Sequence, residues 1–134
     1  MCGIAGMLAH PDSVVVQRMI NLIQHRGPDG NNFWSDEKIA LGHSRLAIVD
    51  LNGSQQPMTG IDGQVLVANG EIYNYQQLRQ ESNHTWKTNG DSESIIALHS
   101  SEILASKSST SAENHVSWVS KLNGMFGFAL WDTK

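Results

Sequence analysis

The sequence predicts a single domain that mixes helices with β-strands. An apolar stripe at helical spacing (Val15, Met19, Leu22 and Ile23) follows the helix-opening pair Pro11-Asp12. Short β-type runs recur at Gly3–Leu8, between Phe33 and Val49, between Gln64 and Tyr73, and at Met125–Trp131. The length, 134 residues, is enough to bury one core and short for two.

Taken in order, Gly3 to Leu8 reads as a short buried strand in which small residues alternate with Ile4 and Met7. The helix opened by Pro11-Asp12 stops at His25-Arg26-Gly27-Pro28-Asp29-Gly30, because Gly and Pro both break helices and Pro restricts its predecessor. Ile39-Ala40-Leu41-Gly42 and Leu46-Ala47-Ile48-Val49 read as strands, and Asn52 to Asp62 as a polar loop. Gln64 to Tyr73 reads as two strands meeting at Asn69-Gly70, a strong signal for a type I′ hairpin turn. Helices are expected from Tyr75 to Glu81, from Ser92 to Leu104 with Asp91 or Ser92 as cap, and from Asn114 to Leu122. The serine-rich stretch Ala105–Glu113 reads as a loop, and Met125–Trp131, apolar throughout, as a strand buried on both faces. A chain ending on such a strand, with nothing to cover it, is expected to be incomplete.

Composition excludes several classes. Hydrophobic residues at 40% and charged residues at 16% fit a globular chain. A net charge of −4 offers no general attraction to nucleic acid or to anionic membrane. One cysteine cannot form an internal disulfide, no apolar run approaches a membrane span, and the N-terminus lacks signal-peptide character, so a cytoplasmic location is expected. Six histidines are scattered, with no His-x₃-His pair, so no metal site is expected.

The chemistry-bearing candidates start with Cys2. Once Met1 is removed, one residue carries both a thiol and a free α-amine, and the amine can take the thiol proton directly or through water. Asn69-Gly70, besides its turn reading, offers a side-chain amide and a backbone N–H to a developing oxyanion. Arg45 is either an exposed strand charge or a planar fork for a carboxylate. Asp91 either caps the helix that follows or faces a substrate ammonium group; by itself, capping is the stronger reading.

Six segments then fall into one order and spacing: Met1-Cys2-Gly3-Ile4-Ala5-Gly6, His25 to Gly30, Gly42 to Leu51 with Gln56-Pro57-Met58 beyond, Asn69-Gly70-Glu71-Ile72-Tyr73-Asn74, Asn89-Gly90-Asp91-Ser92-Glu93, and Leu122 to Asp132. Along nearly its whole length the sequence resembles class II glutamine amidotransferase domains, and most of all the N-terminal domain of glutamine-hydrolysing asparagine synthetases. The resemblance implies an α+β fold, a four-layer αββα sandwich of the N-terminal nucleophile hydrolase type, with residues 1–134 forming one such domain. It implies that Cys2 attacks the side-chain amide of L-glutamine and that Asn69 and Gly70 hold the oxyanion. A thioester is then hydrolysed to glutamate, and ammonia is released. By position, Arg45 grips the substrate α-carboxylate, Asp91 and Glu71 face its α-ammonium, and Arg26 and Asp29 hold the loop near Cys2.

No metal or cofactor is implied for this half-reaction; ATP and Mg belong to a synthetase domain or subunit, which would use the ammonia to make asparagine from aspartate. The sequence departs from the family at the serine-rich stretch. It also lacks the Arg-Asp-x-x-Gly-x-Lys-Pro-type segment and the Ser-Gly-Gly-x-Asp-Ser pyrophosphate loop, so a domain truncated at its C-terminal end, with unpaired strand edges, is expected. Two alternatives stand beside the enzyme reading: an inactive glutamine-binding or regulatory module, and a non-functional fragment.

Overall fold

The computed structural model describes residues 1–106 and 117–134. Two three-stranded antiparallel sheets make up its centre. The first contains β1 (Gly3–Leu8), β2 (Gly30–Ser35) and β3 (Ile39–Arg45) in the order β1-β3-β2. The second contains β4 (Met58–Thr59), β5 (Val65–Ile72) and β6 (Gly124–Trp131) in the order β4-β5-β6. Three helices accompany them: α1 (Ser13–Leu22), α2 (Tyr75–Glu81) and α3 (Glu93–Ser106). Short 3₁₀ turns cover Gln24–Arg26 and Ser117–Lys121.

Strand alternation decides what each face meets. On β3, Ile39 and Leu41 pack against Val65 and Val67 of β5, with Ile4, Trp34, Ala129 and Trp131 around them. This is the core between the sheets. The opposite face of β3 meets α1, whose Val16 and Ile20 lie close over Gly42. The far face of β5 carries Leu66, Ala68 and Ile72 against Leu78 of α2, Ile95 and Ile96 of α3, and Trp118. Helices therefore pack against both sheets in a mixed α+β fold. Trp131 Nε1 donates to Asp36 Oδ2 at 2.8 Å and ties the two sheets at their closed end.

Several expectations need correction. Asp12 caps α1, its carboxylate accepting from the N–H groups of Val14 and Val15, but the buried stripe is Val16 and Ile20. Val15 and Met19 are exposed, and Leu22 is 79% exposed. The run Val14-Val15-Val16 offers two adjacent helical registers, and the glycine at position 42 decides between them by letting Ile20 and Val16 approach. Asn69-Gly70 is no hairpin turn: β5 runs unbroken through both residues, paired along its length with β6, Gly70 opposite Phe126. Gly70 has φ +141°, and a Cβ there would lie 2.0 Å from the Met125 carbonyl oxygen, so the dipeptide serves close strand approach.

Leu46–Val49 is not a strand, since β3 ends at Arg45, and the loop from Asn52 to Asp62 contains the short strand β4. β1 is formed as expected, but of its residues only Gly3 is buried. β6 is half-covered rather than buried on both faces, with Met125 exposed. α2 and α3 fall where expected. Ala105 and Ser106 close α3 rather than opening a loop, and 107–113 and 114–116 lie outside the described residues.

The corrected helix face gives a direct test. Ile20→Ala should cost about 2–5 kcal/mol of unfolding free energy, while Leu22→Ala should stay within about 0.5 kcal/mol, both read from denaturant titrations. Equal effects would return the stripe to the sequence-based register.

Candidate active site

The strand register that forms the inter-sheet core also builds a cavity at its open end. β1 lies antiparallel on β3 with Gly3 opposite Ser44, which carries Cys2 alongside Arg45 and Leu46. Moving outward from the core, the inner face of β3 presents Leu41, His43 and Arg45, and that of β5 presents Val67, Asn69 and Glu71. Of these, His43, Arg45, Asn69 and Glu71, together with Cys2, Gly70 and Asp91, line a cavity of about 170 Å³. That is small against the roughly 300–1,000 Å³ of drug-sized pockets and suits a ligand of amino-acid size.

Cys2 is half-buried, and its sulfur engages the main chain of Leu46. The Leu46 N–H donates to Sγ at 3.3 Å, and the thiol donates to the Leu46 carbonyl at 3.6 Å. Asp29 Oδ2 accepts from the Ala47 N–H at 2.8 Å. The backbone groups of Leu46 and Ala47 are thus spent on the site, which is why the apolar run 46–49 leaves the sheet. Arg26 Nε donates to the Cys2 carbonyl at 3.1 Å. Gly27 seats the Arg26–Asp29 loop: a Cβ there would fall 2.3 Å from the Ser44 carbonyl oxygen, and Ser44 Oγ donates to the Gly27 carbonyl at 2.8 Å.

Arg45 reaches over the mouth. Its guanidinium donates to the carbonyls of Asp50 (2.7 Å), Gly53 (2.7 Å) and Leu51 (3.1 Å), so three of its five N–H bonds hold the neighbouring loop and two remain. Asp50 braces that loop from inside, accepting from Gly53 N–H, Ser54 Oγ and Asn89 N–H. The Asn89 bond, then Ser54, then Gly53 and the Arg45 charge hold its carboxyl below the usual range against the effect of burial. Asp91 is 9% exposed and does not cap α3 with its side chain; Oδ2 accepts from the Ile72 N–H at 2.7 Å, and Ser92 Oγ lies 3.4 Å from Oδ1. The strand end, not the helix end, claims that carboxylate. Glu71 is exposed at the rim.

Two contributors escaped the sequence reading. Asp50 lies just beyond the β-type run Leu46–Val49 and was not singled out. His43 looked like one of six scattered histidines, yet it is 1% exposed and lines the cavity, with no well-formed hydrogen bond at either ring nitrogen. Burial lowers its pKa to about 4, the Arg45 charge adding to the shift and the Ala68 carbonyl opposing it. The available signal was its position two residues before Arg45 in a β-type run, which puts both on one face.

A second cavity, of about 210 Å³, lies beside Met58, Ile96 and Lys87. Its buried carboxylate, Glu93, accepts from Lys87 N–H, Thr88 N–H, Thr88 Oγ1 and His84 Nε2. Those contacts outweigh burial and keep Glu93 below the usual range, so its acceptors are already used. Among the described residues no group of three or more His, Cys, Asp or Glu is arranged to hold a metal ion, and no helix is long and apolar enough to cross a membrane.

A family described as a glutamine amidotransferase domain matches residues 1–134. The chain belongs to that family. It is 37% identical to asparagine synthetase [glutamine-hydrolyzing] 2 of Bacillus subtilis (strain 168), over 98% of this chain and 17% of that protein. It is 34% identical to asparagine synthetase [glutamine-hydrolyzing] 3 of the same organism, over 100% of this chain and 22% of the relative. It is likewise 34% identical to asparagine synthetase B [glutamine-hydrolyzing] of Escherichia coli (strain K12), over 100% of this chain and 24% of the relative. The chain spans about a fifth of the length of these curated relatives.

His43 makes stability depend on pH with a definite sign. A histidine held at about 4 in the folded chain but near 6.5 when unfolded takes up protons preferentially in the unfolded state between those values. Its contribution is present above about pH 6.5 and is lost as pH falls through 4, up to about 3 kcal/mol. The fall in unfolding free energy between pH 7 and pH 4 should therefore be smaller in His43→Phe than in wild type; identical pH profiles would contradict the assignment.

Proposed function

We propose that this chain is a glutaminase domain that hydrolyses L-glutamine to glutamate and ammonia through a thioester on Cys2. One observation carries the reading: in a member of the glutamine amidotransferase family, the thiol of Cys2, the Asn69-Gly70 pair, the Arg45 guanidinium and the carboxylates of Glu71 and Asp91 line a single cavity. The two sheets with helices packed against them are read as the αββα sandwich of N-terminal nucleophile hydrolases.

In this mechanism Met1 is first removed. The freed α-amine of Cys2 takes the thiol proton, and the thiolate attacks the side-chain carbonyl carbon of glutamine. The Asn69 side-chain amide and the Gly70 N–H stabilise the oxyanion; one such donor is worth about 2.7–4 kcal/mol of barrier. Collapse of the intermediate breaks the C–N bond, and the proton on the amine passes to the departing nitrogen, which leaves as ammonia. The same amine then takes a proton from water, whose oxygen attacks the thioester carbon. Glutamate departs and the thiol is restored. Arg45 orients the substrate α-carboxylate with its two remaining N–H bonds, and Glu71 and Asp91 orient the α-ammonium. Arg26 and Asp29 act on position alone, fixing the main chain of Cys2 and Ala47.

The names of the relatives extend the proposal: the ammonia serves asparagine synthesis from aspartate, in a synthetase domain or subunit that supplies the ATP and Mg chemistry. A second reading follows from Met1, which itself lines the cavity. While Met1 is in place the base nitrogen is tied up in an amide, and the cavity is a glutamine-binding module.

Ammonia and glutamate release should be measured on processed chain, on chain retaining Met1, and on Cys2→Ala. Activity should be absent from Cys2→Ala and reduced about 10²–10⁴-fold when Met1 remains, as for loss of a general base. Turnover that survives Cys2→Ala would remove the thioester mechanism.

A further inference from the structure

We propose that His43 determines specificity at the reacting end of the substrate, its imidazole accepting a hydrogen bond from the side-chain N–H₂ of the bound amide and so separating amide from acid. The inference rests on the reading of the cavity as a glutamine site. Arg45 and Glu71 stand at the mouth, Leu41 and Val67 belong to the apolar core, and His43 and Asn69 occupy the level between them. A substrate whose charged amino-acid end is held at the mouth sends its side chain to that level.

Two groups there lack partners. Neither ring nitrogen of His43 makes a well-formed hydrogen bond: one faces the Ala68 carbonyl, and the other, like the buried Oδ1 of Asn69, has no partner. Buried polar groups without partners are costly, and an apolar ring would fill the same space without the cost. A histidine used only as packing is therefore the poorer account of this position. A ligand group that donates hydrogen bonds is the better one, and a primary amide carries two such donors.

The direction of the bond follows from the surroundings. The Ala68 carbonyl acts on the ring and can only accept, so it favours the proton on the nitrogen that faces it. The other nitrogen then carries a lone pair. Burial keeps the ring uncharged at neutral pH, so it offers no positive charge to an anion. An amide meets the lone pair with N–H. A carboxylate meets it with oxygen lone pairs only, so the product acid is disfavoured where the amide was held.

The test compares L-glutamine with the γ-methyl ester of L-glutamate, which presents a similar reactive carbonyl but no N–H. Steady-state kinetics on the processed full chain should be run for wild type, His43→Phe and His43→Gln, with inhibition by glutamate measured alongside. In His43→Phe, kcat/KM for glutamine should fall about tenfold or more while that for the ester changes less than about twofold. Glutamate should inhibit His43→Phe more strongly than wild type, and His43→Gln, which keeps an acceptor, should recover part of the glutamine rate. Should the larger ring prevent folding, His43→Leu carries the same comparison.

Equal losses on both substrates would overturn the inference and make His43 a support of the wall. Undiminished glutamine turnover in His43→Phe would overturn it while leaving the glutaminase reading intact. If processed wild type hydrolyses neither substrate, the glutaminase reading itself fails, and this inference with it.

Discussion

β3 is the strand that both others of its sheet must pair with, and its register against β1 places Cys2, His43 and Arg45 at the cavity. Pairing Gly3 with Ser44 leaves Cys2 one residue beyond the ladder, beside the end of β3, where sulfur meets the main chain of Leu46. The same register turns Leu41, His43 and Arg45 toward the second sheet. A one-residue slip would turn that whole set away from the cavity and bring Ser44 into its place. Backbone pairing therefore sets the frame of the site, and the side chains of Arg26, Asp29, Arg45 and Asp50 fix the segments around it.

Around that frame the structure spends polar groups in layers. Main-chain groups of Leu46 and Ala47 leave the sheet to serve Cys2 and Asp29. Asp50 and Arg45 stitch the 50–54 loop to the cavity mouth, with Asp50 and Ser54 both at positive φ. Left-handed backbone at non-glycine residues is costly and persists where surrounding contacts over-determine it. Here the Asp50 carboxylate, which bonds Gly53, Ser54 and Asn89, does that work. The loop that Arg45 holds at the cavity mouth is thus tied to the segment that carries Asp91.

Much of this was legible in the sequence, and the failures have physical causes. The existence of β1, α2, α3 and β6 followed from local patterning and turn residues. Asn69-Gly70 misled because a hairpin signal is local. The partner that keeps β5 extended is β6, more than fifty residues away in sequence, with Met125 and Phe126 passing too close to Gly70 for a side chain. The α1 stripe misled because consecutive valines fit two registers. Leu46–Val49 misled because β-type side chains say nothing about where their backbone hydrogen bonds go. Among site residues, Cys2, Arg45, Asn69, Gly70, Glu71 and Asp91 emerged from segments matched as a set, and they do line one cavity. His43 and Asp50 did not emerge, because their significance lies in burial and in backbone partners distant along the chain.

The central claim is that Cys2, freed of Met1, is a nucleophile aimed at a glutamine side chain. Intact-mass spectrometry with a glutamine analogue bearing a chloromethyl ketone in place of the carboxamide tests it most directly. Since Cys2 is the only cysteine, a single thiol adduct has one address. The account predicts one adduct on the N-terminal peptide of the processed chain, formed more slowly in the presence of excess glutamine and far more slowly on chain that keeps Met1. A processed chain that stays unmodified, or an adduct that forms equally fast with Met1 in place and without protection by glutamine, would contradict it.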